Sequence, residues 1–323
     1  MRHLPRRRQL RRVRHRRQRE HREPHRVAEQ GTDVISWNDL PASVQDAVQG
    51  HVGPISTAAA VRGGQNSDIA AVLHRDTALP VFLKGVRGVS RRMRWLRNET
   101  IAAPLTGGLS PGVLFAEDVE EWLVVGFEHV TGRAASLAPG SPDLALVAEA
   151  VNRIGTQPGG SLRPLPDRWS VTDWWHKLAI AAPDVVDGWD VDAATRWART
   201  FPELACGDRL AHTDLHGEQF LIDHDEVRVI DWGYPGCGAP WVDAAFIVLR
   251  LIEAGHHPGE AERWARAHLV HFTDGEHLTA FAMHIAGLWG YWAATGDISG
   301  APGRAQLART YAAWRCGAGR SSG

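Results

Sequence analysis

Apolar positions fall into two regimes along this chain. Between residue 35 and about residue 130 they come in short runs bounded by turn residues. That pattern predicts strands over 55–61, 68–74, 81–86, 113–116 and 122–127. One helical stretch, 90–105, interrupts the strands and stops at Gly107-Gly108. The turn Arg62-Gly63-Gly64-Gln65-Asn66-Ser67 separates the first two strands. Beyond residue 130 the spacing becomes helical. The stretch 144–154 is amphipathic, and further helices are predicted over 172–182, 193–201, 244–254, 258–272, 278–294 and 305–314. The weakly polar run 278–296 has the length of a membrane span. His284 and several small residues interrupt it, so a buried helix is the plainer reading.

One segment breaks the helical regime. Residues 210–243 read LAHTDLHGEQFLIDHDEVRVIDWGYPGCGAPWVD. They predict a hairpin, Phe220-Leu221-Ile222 against Val227-Arg228-Val229-Ile230, joined by the polar turn Asp223-His224-Asp225-Glu226. Asp214 and Asp231 sit at its edges. A carboxylate beside an apolar strand is costly to desolvate, which points to a task such as holding a cation or taking a proton. A lone Asp could equally cap a turn. The pair, with a lysine upstream, favours chemistry.

Charge is unevenly spread. The chain carries −1 in all, but residues 1–30 hold 12 Arg and 3 Glu, so the remainder carries about −10. Residues 1–32 are too polar to pack a core and read as a disordered tail. A basic arm for nucleic acid is the rival reading of that stretch, whereas the acidic body argues against nucleic acid as a partner of the folded part. The N-terminus lacks the apolar stretch of a secretory signal. Cys206, Cys237 and Cys316 are scattered, with neither a disulfide framework nor zinc spacing, so a cytoplasmic setting is expected. The chain has 34 arginines and two lysines, Lys84 and Lys177. A lysine kept at 84, inside the apolar run 80–85, points to a need for a compact ammonium.

In order along the chain come His212-Thr213-Asp214, the amide Gln219 five residues on, and Ile230-Asp231-Trp232. They resemble the aminoglycoside phosphotransferase family of small-molecule kinases, which writes these loops His-Gly-Asp-x-x-x-x-Asn and Ile-Asp-Trp. The resemblance covers roughly residues 50–300. It implies an α+β, two-lobed protein-kinase-like fold, with a strand-rich, nucleotide-binding N-lobe over 33–130. A mostly helical C-lobe over 131–323 would carry the catalytic and metal loops. It also implies ATP (or GTP), Mg2+ and a small-molecule hydroxyl as acceptor. Asp214 would orient that hydroxyl and take its proton. Asp231 and Gln219 would hold metal, Gln219 departing from the family's Asn by one methylene. Lys84 would grip phosphate, with Glu99 on the following helix as its ion-pair partner. Asn66 and Ser67 would add donors from the glycine turn. The hinge near Glu128 and Val130 would take adenine. His212 would be structural, a metal role for His212 and His216 being disfavoured by their place in a loop. Asp243 would cap a helix and support the catalytic loop from behind.

The family acts on antibiotics and on metabolites such as choline, homoserine and sugars. The acidic body suits a cationic acceptor such as an aminoglycoside, with Asp167, Asp173 and Glu253 as candidate acids. Trp169, Trp174, Trp175 and Trp241 either line an acceptor pocket or fill the core, the second being the plainer role. Gln219 also feeds a rival from another class, a nucleotide-binding pseudokinase that serves as a scaffold.

Overall fold

The computed structural model describes residues 35–61, 66–296 and 300–318. The basic tail and residues 62–65 of the glycine turn lie outside the described residues. The N-terminal lobe opens with helix α1 (Ala42–Val52), followed by β1 (Thr57–Ala60), β2 (Ile69–His74), β3 (Val81–Arg87), helix α2 (Arg91–Ala102), β4 (Val113–Val119) and β5 (Trp122–Glu128). The strands form an antiparallel sheet in the order β1-β2-β3-β5-β4.

Side-chain alternation divides this sheet between two small cores. Trp122 and Val124 of β5 join Ile69, Leu73 and Leu83 on the face covered by α1. Leu123, Val125 and Phe127 join Val86 and Leu96 on the face covered by α2. Lys84 is in register with Ala70 and Val125, which puts its side chain on the α2 face. Gly126 allows the Phe115 ring of β4 to lie against β5, since a Cβ there would come within 2.1 Å of the ring.

Helix α1 has no counterpart among the expected elements. Only Val44 and Val48 are buried in it, packing with Trp37, Leu40 and Phe115, and two apolar positions four apart are too few to stand out. Helix α2 starts where expected, with the Ser90 hydroxyl accepting the Met93 N–H at 3.2 Å. It ends at Ala102 rather than 105, because Pro104 turns the last stretch into a tighter helical turn. Strand β4 outruns its expected end by three residues, with a bulge between Val113 and Phe115.

The C-terminal lobe comprises β6 (Arg133–Ala134), α3 (Asp143–Thr156), α4 (Leu165–Arg168), α5 (Trp174–Ala181), α6 (Val191–Leu204), β7 (Arg209–Ala211), β8 (Phe220–Asp223), β9 (Glu226–Val229), β10 (Gly236–Gly238), α7 (Trp241–Glu253), α8 (Pro258–His268), α9 (Glu276–Thr295) and α10 (Ala301–Ala318). Strands β8 and β9 form the expected hairpin around His224-Asp225, with His224 at φ 54°. Strand β6 adds a third strand, and β7 pairs with β10. Helix α9 is buried from Ala280 to Gly290, as the plainer reading of the run 278–296 had it. Among the described residues no helix is long and apolar enough to cross a membrane. Trp169, Trp175 and Trp241 fill the same large core, while Trp174 is half-buried against Tyr291. One expectation needs correction. Helix α7 begins at Trp241, so its cap position falls on Pro240 and Asp243 lies inside the first turn, its carboxylate engaged elsewhere.

Candidate active site

Strand β7 delivers the chain into His212-Thr213-Asp214. The two oxygens of Asp243, on the first turn of α7, accept the N–H groups of His212 at 2.7 Å and Thr213 at 2.8 Å. Burial raises the Asp243 carboxyl above its ordinary value, while the His212 ring, these two N–H groups and Arg168 pull the other way. Thr213 adopts φ 63°, a left-handed conformation costly for a β-branched residue. Its hydroxyl donates to Tyr234 O at 2.6 Å and accepts from Arg168 at 2.9 Å. Arg168 also donates to the carbonyls of Tyr234 and Pro235. Burial among these neutral acceptors lowers the Arg168 pKa to about 10.

His212 is fully buried. Its Nε2–H donates to Ile230 O at 3.0 Å and its Nδ1 accepts the Asp214 N–H at 3.3 Å. Both ring nitrogens are committed within the protein, so the ring joins the Asp214 loop to the Asp231 loop. Asp214 itself keeps 27% of its side chain exposed and lies 3.4 Å from the Arg250 guanidinium.

The second loop carries Asp231 at φ 62°. Beside it, the buried Trp232 indole donates to Val229 O at 2.9 Å. Asn98 of α2 donates to Gly233 O at 2.9 Å, so the loop is also held by the N-terminal lobe. Lys84 donates to Glu99 Oε1 at 3.0 Å and Oε2 at 2.9 Å, and to Asp231 Oδ1. Lys84 and Glu99 are almost covered, whereas Asp231 is 43% exposed. Burial alone would lower the lysine pKa, but Glu99 and Asp231 together outweigh it and the net direction is up. Burial lifts the Glu99 carboxyl to about 7, Lys84 pulling it down and Asp231 pushing it up. Lys84 holds Asp231 below its ordinary value against burial. One cation thus serves two carboxylates, and burial penalises the deeper one.

Lys84, Glu99 and Asp231 are therefore in direct contact, and His212 ties Asp214 to their loop. The other expected site residues make no side-chain bond to this cluster among the described residues, although the Gln219 carbonyl accepts the Ile230 N–H at 3.0 Å. Gln219 is buried, its Oε1 accepting the His216 N–H at 2.9 Å and its Nε2 donating to His216 Nε2 at 2.5 Å. Each end of the amide thus has one partner, both on His216. Asn66 is exposed, Ser67 is half-buried, and neither side chain makes a hydrogen bond among the described residues. Glu128 donates its N–H to Gly112 O at 2.9 Å and accepts the Gly112 N–H on its carboxylate at 3.0 Å. The Val130 backbone has no hydrogen-bond partner among the described residues. Of the candidate acids, Asp173 pairs with Lys177 at 3.0 Å, Glu253 pairs with Arg250 at 2.9 Å, and Asp167 is exposed.

Arg168, Asn98 and Arg250 were not foreseen. Arg250 did carry a signal, a single cation in an apolar helical run, which is the reasoning that singled out Lys84. Arg168 and Asn98 bond to backbone carbonyls, a role with no signature in sequence.

The donor set suits a hard, partly hydrated cation. Asp231 Oδ2 has no protein partner among the described residues, and no group of three or more His, Cys, Asp or Glu there could cage a metal. Magnesium is bound in this manner, by one or two carboxylates completed by phosphate oxygens and water.

A family model described as the phosphotransferase enzyme family matches residues 70–281. The fold is shared with solved structures at low identity. A thermostable variant of aminoglycoside phosphotransferase APH(4)-Ia, in a ternary complex with AMP-PNP and hygromycin B, aligns at TM-score 0.59 and 15% identity, covering 84% of this chain and 98% of that one. Choline kinase LicA from Streptococcus pneumoniae aligns at 0.58 and 13%, covering 84% and 97%. A putative fructosamine-3-kinase from Haemophilus somnus 129PT aligns at 0.55 and 13%, covering 85% and 97%. No curated protein matches the chain in sequence.

Proposed function

The chain belongs to the phosphotransferase enzyme family, and from that premise we propose that it moves the γ-phosphate of ATP to a hydroxyl of a small molecule. The observation that carries this reading is Lys84 of the N-terminal lobe in contact with Glu99 and with Asp231 of the C-terminal lobe. Phosphoryl transfer is mostly positioning and charge neutralisation, and this cluster supplies a fixed cation and an exposed carboxylate at one place.

In this reading Lys84, held by Glu99, turns its ammonium to the phosphates. Asp231, whose Oδ2 has no protein partner among the described residues, would hold Mg2+, and the ion would supply charge neutralisation on the phosphate oxygens. Gln219 Oε1, which accepts the His216 N–H, keeps a second lone pair that could serve the same metal if the amide turned towards it. Asp214 accepts the hydrogen bond of the acceptor hydroxyl and takes its proton as the new bond from the hydroxyl oxygen to the γ-phosphorus forms, while the bridging P–O bond to the β-phosphate breaks and ADP leaves. Val130 offers to the purine edge an N–H and a C=O that have no partner among the described residues, while the Glu128 N–H is already given to Gly112. Asn66 and Ser67 lie at the end of the glycine turn, within the segment that would cover phosphate.

The acceptor is a hydroxyl-bearing metabolite or an aminoglycoside-like antibiotic, a range that follows from the family and from neighbours named for hygromycin B, choline and fructosamine. The exposed thiols of Cys206 and Cys316 fit a reducing cytoplasm.

Thermal unfolding of the full chain with ATP or GTP, each with and without Mg2+, tests the reading, because a ligand bound by the folded state raises the melting temperature. A Mg2+-dependent rise is expected with at least one nucleotide. No rise with either would overturn it.

A further inference from the structure

We propose that Arg250 is a positioning residue for phosphoryl transfer, clamping Asp214 so that a single carboxylate oxygen is left for the acceptor hydroxyl. The inference rests on the reading of Asp214 given above.

Helix α7 is buried from Trp241 to Leu251, and Arg250 is its only basic residue. Its side chain is 3% exposed. A buried guanidinium is costly unless its donors are used and its charge is met. Here each edge has a partner. Nη1 donates to Glu253 Oε2 at 2.9 Å, one turn further along the same helix. Nε donates to the carbonyl of Leu215, the residue after Asp214, at 3.3 Å. Nη2 reaches Asp214 Oδ1 at 3.4 Å. The guanidinium lies 5.7 Å from the centroid of the Trp289 ring of α9, which limits its swing.

The side chain of Asp214 and the backbone just after it are thus held by one rigid, planar group. The Nη2 contact is at the long end for a hydrogen bond, so it orients the carboxylate more than it saturates it. Oδ2 of Asp214 has no protein partner among the described residues and is the oxygen left for an incoming hydroxyl. Glu253, half-exposed at the rim, anchors the guanidinium from the far side. In a transfer governed by alignment, loss of this clamp slows the chemical step and leaves nucleotide binding in place.

The test uses the full-length protein and three variants, Arg250→Met, Arg250→Lys and Glu253→Gln. Turnover is read as ATP hydrolysis with water as acceptor, and Mg-ADP binding by calorimetry. Arg250→Met is expected to bind Mg-ADP within about threefold of the parent, to keep its KM for ATP, and to lose at least tenfold in kcat. Arg250→Lys is expected to recover part of that loss and Glu253→Gln to show a smaller one. Wild-type kcat in Arg250→Met would overturn the inference. Should that variant not fold, wild-type kcat in both Arg250→Lys and Glu253→Gln would overturn it instead. Failure of the parent protein to bind Mg-ADP is a different result, and it would remove the phosphotransfer reading itself.

Discussion

Lys84 on β3 and Asp231 in the loop after β9 stand 147 residues apart in sequence and are in direct contact. The two lobes therefore meet through a charge pair, at the residues that the proposed function assigns to phosphate and metal. Replacing either partner should act on binding, whereas Asp214 should act on turnover alone.

Asp231→Asn is expected to weaken Mg-nucleotide binding by tenfold or more, since the amide is a poorer metal ligand and loses its attraction for Lys84. Asp214→Asn should keep nucleotide affinity within a few-fold and lose about 100-fold to 10,000-fold in turnover. Calorimetry with Mg-ADP and a coupled assay separate the two effects. Full activity in both variants would end the proposed mechanism.

Thr213 occupies a position where the family writes glycine, and its φ of 63° shows why glycine suits it. The strain, roughly 1–2 kcal/mol, is offset by the hydroxyl bonds to Tyr234 and Arg168. Thr213→Val keeps the strain and discards those bonds, so a loss of about 2–3 kcal/mol is expected in chemical denaturation. Thr213→Gly discards both, and its stability should stay within about 1 kcal/mol of the parent while turnover falls. A Thr213→Gly enzyme as fast as the parent would show that the bond between the loops is dispensable.

Asp243 uses both oxygens on backbone N–H groups. In Asp243→Asn one oxygen becomes an NH2 facing a donor. A cost of about 1–3 kcal/mol is expected, together with reduced turnover as the Asp214 loop relaxes. Unchanged melting and unchanged rate in this variant would contradict the role assigned to Asp243.

The hairpin, the strand bearing Lys84 and the two aspartates were legible in the sequence because each is a local pattern, apolar alternation broken by a charge. What escaped was set by tertiary contact. The support Asp243 gives to the loop over 212–214 was expected from the resemblance, but nothing in the residues around it tells that the same carboxylate leaves its own helix uncapped. That the Gln219 amide bonds to His216 was likewise not legible, since no local pattern ties the two side chains. Helix α1 gains its stability from the sheet beneath it, and its own sequence carries only Val44 and Val48 buried, with Val52 partly so.

His284 is buried on α9 beside Trp169 and Phe201, and among the described residues neither ring nitrogen makes a well-formed hydrogen bond, the Ala198 backbone being at most a loose contact. Burial lowers its pKa from 6.5 to about 4, the Ala198 backbone pulling weakly the other way. The unfolded chain takes up this proton at the higher pH. The contribution to stability is therefore complete above about pH 6.5 and is lost as pH falls towards 4, by about 3 kcal/mol over that window. His284→Leu should remove this acid sensitivity and gain about 1–2 kcal/mol at neutral pH. Melting temperatures from pH 4 to 7 check it, and parallel curves for the two proteins would refute it.

Lys84 and Lys177 are the chain's only lysines, and Lys177 stands on the surface of α5 beside Asp173 and Trp174. An amine-directed acylating reagent thus has two side-chain targets in the entire protein, one of them inside the cleft. With Lys177→Arg, Lys84 becomes the single side-chain amine. The rate at which that side chain takes up a fluorophore, read apart from any label on the α-amine, would then report how often its contact with Glu99 and Asp231 opens.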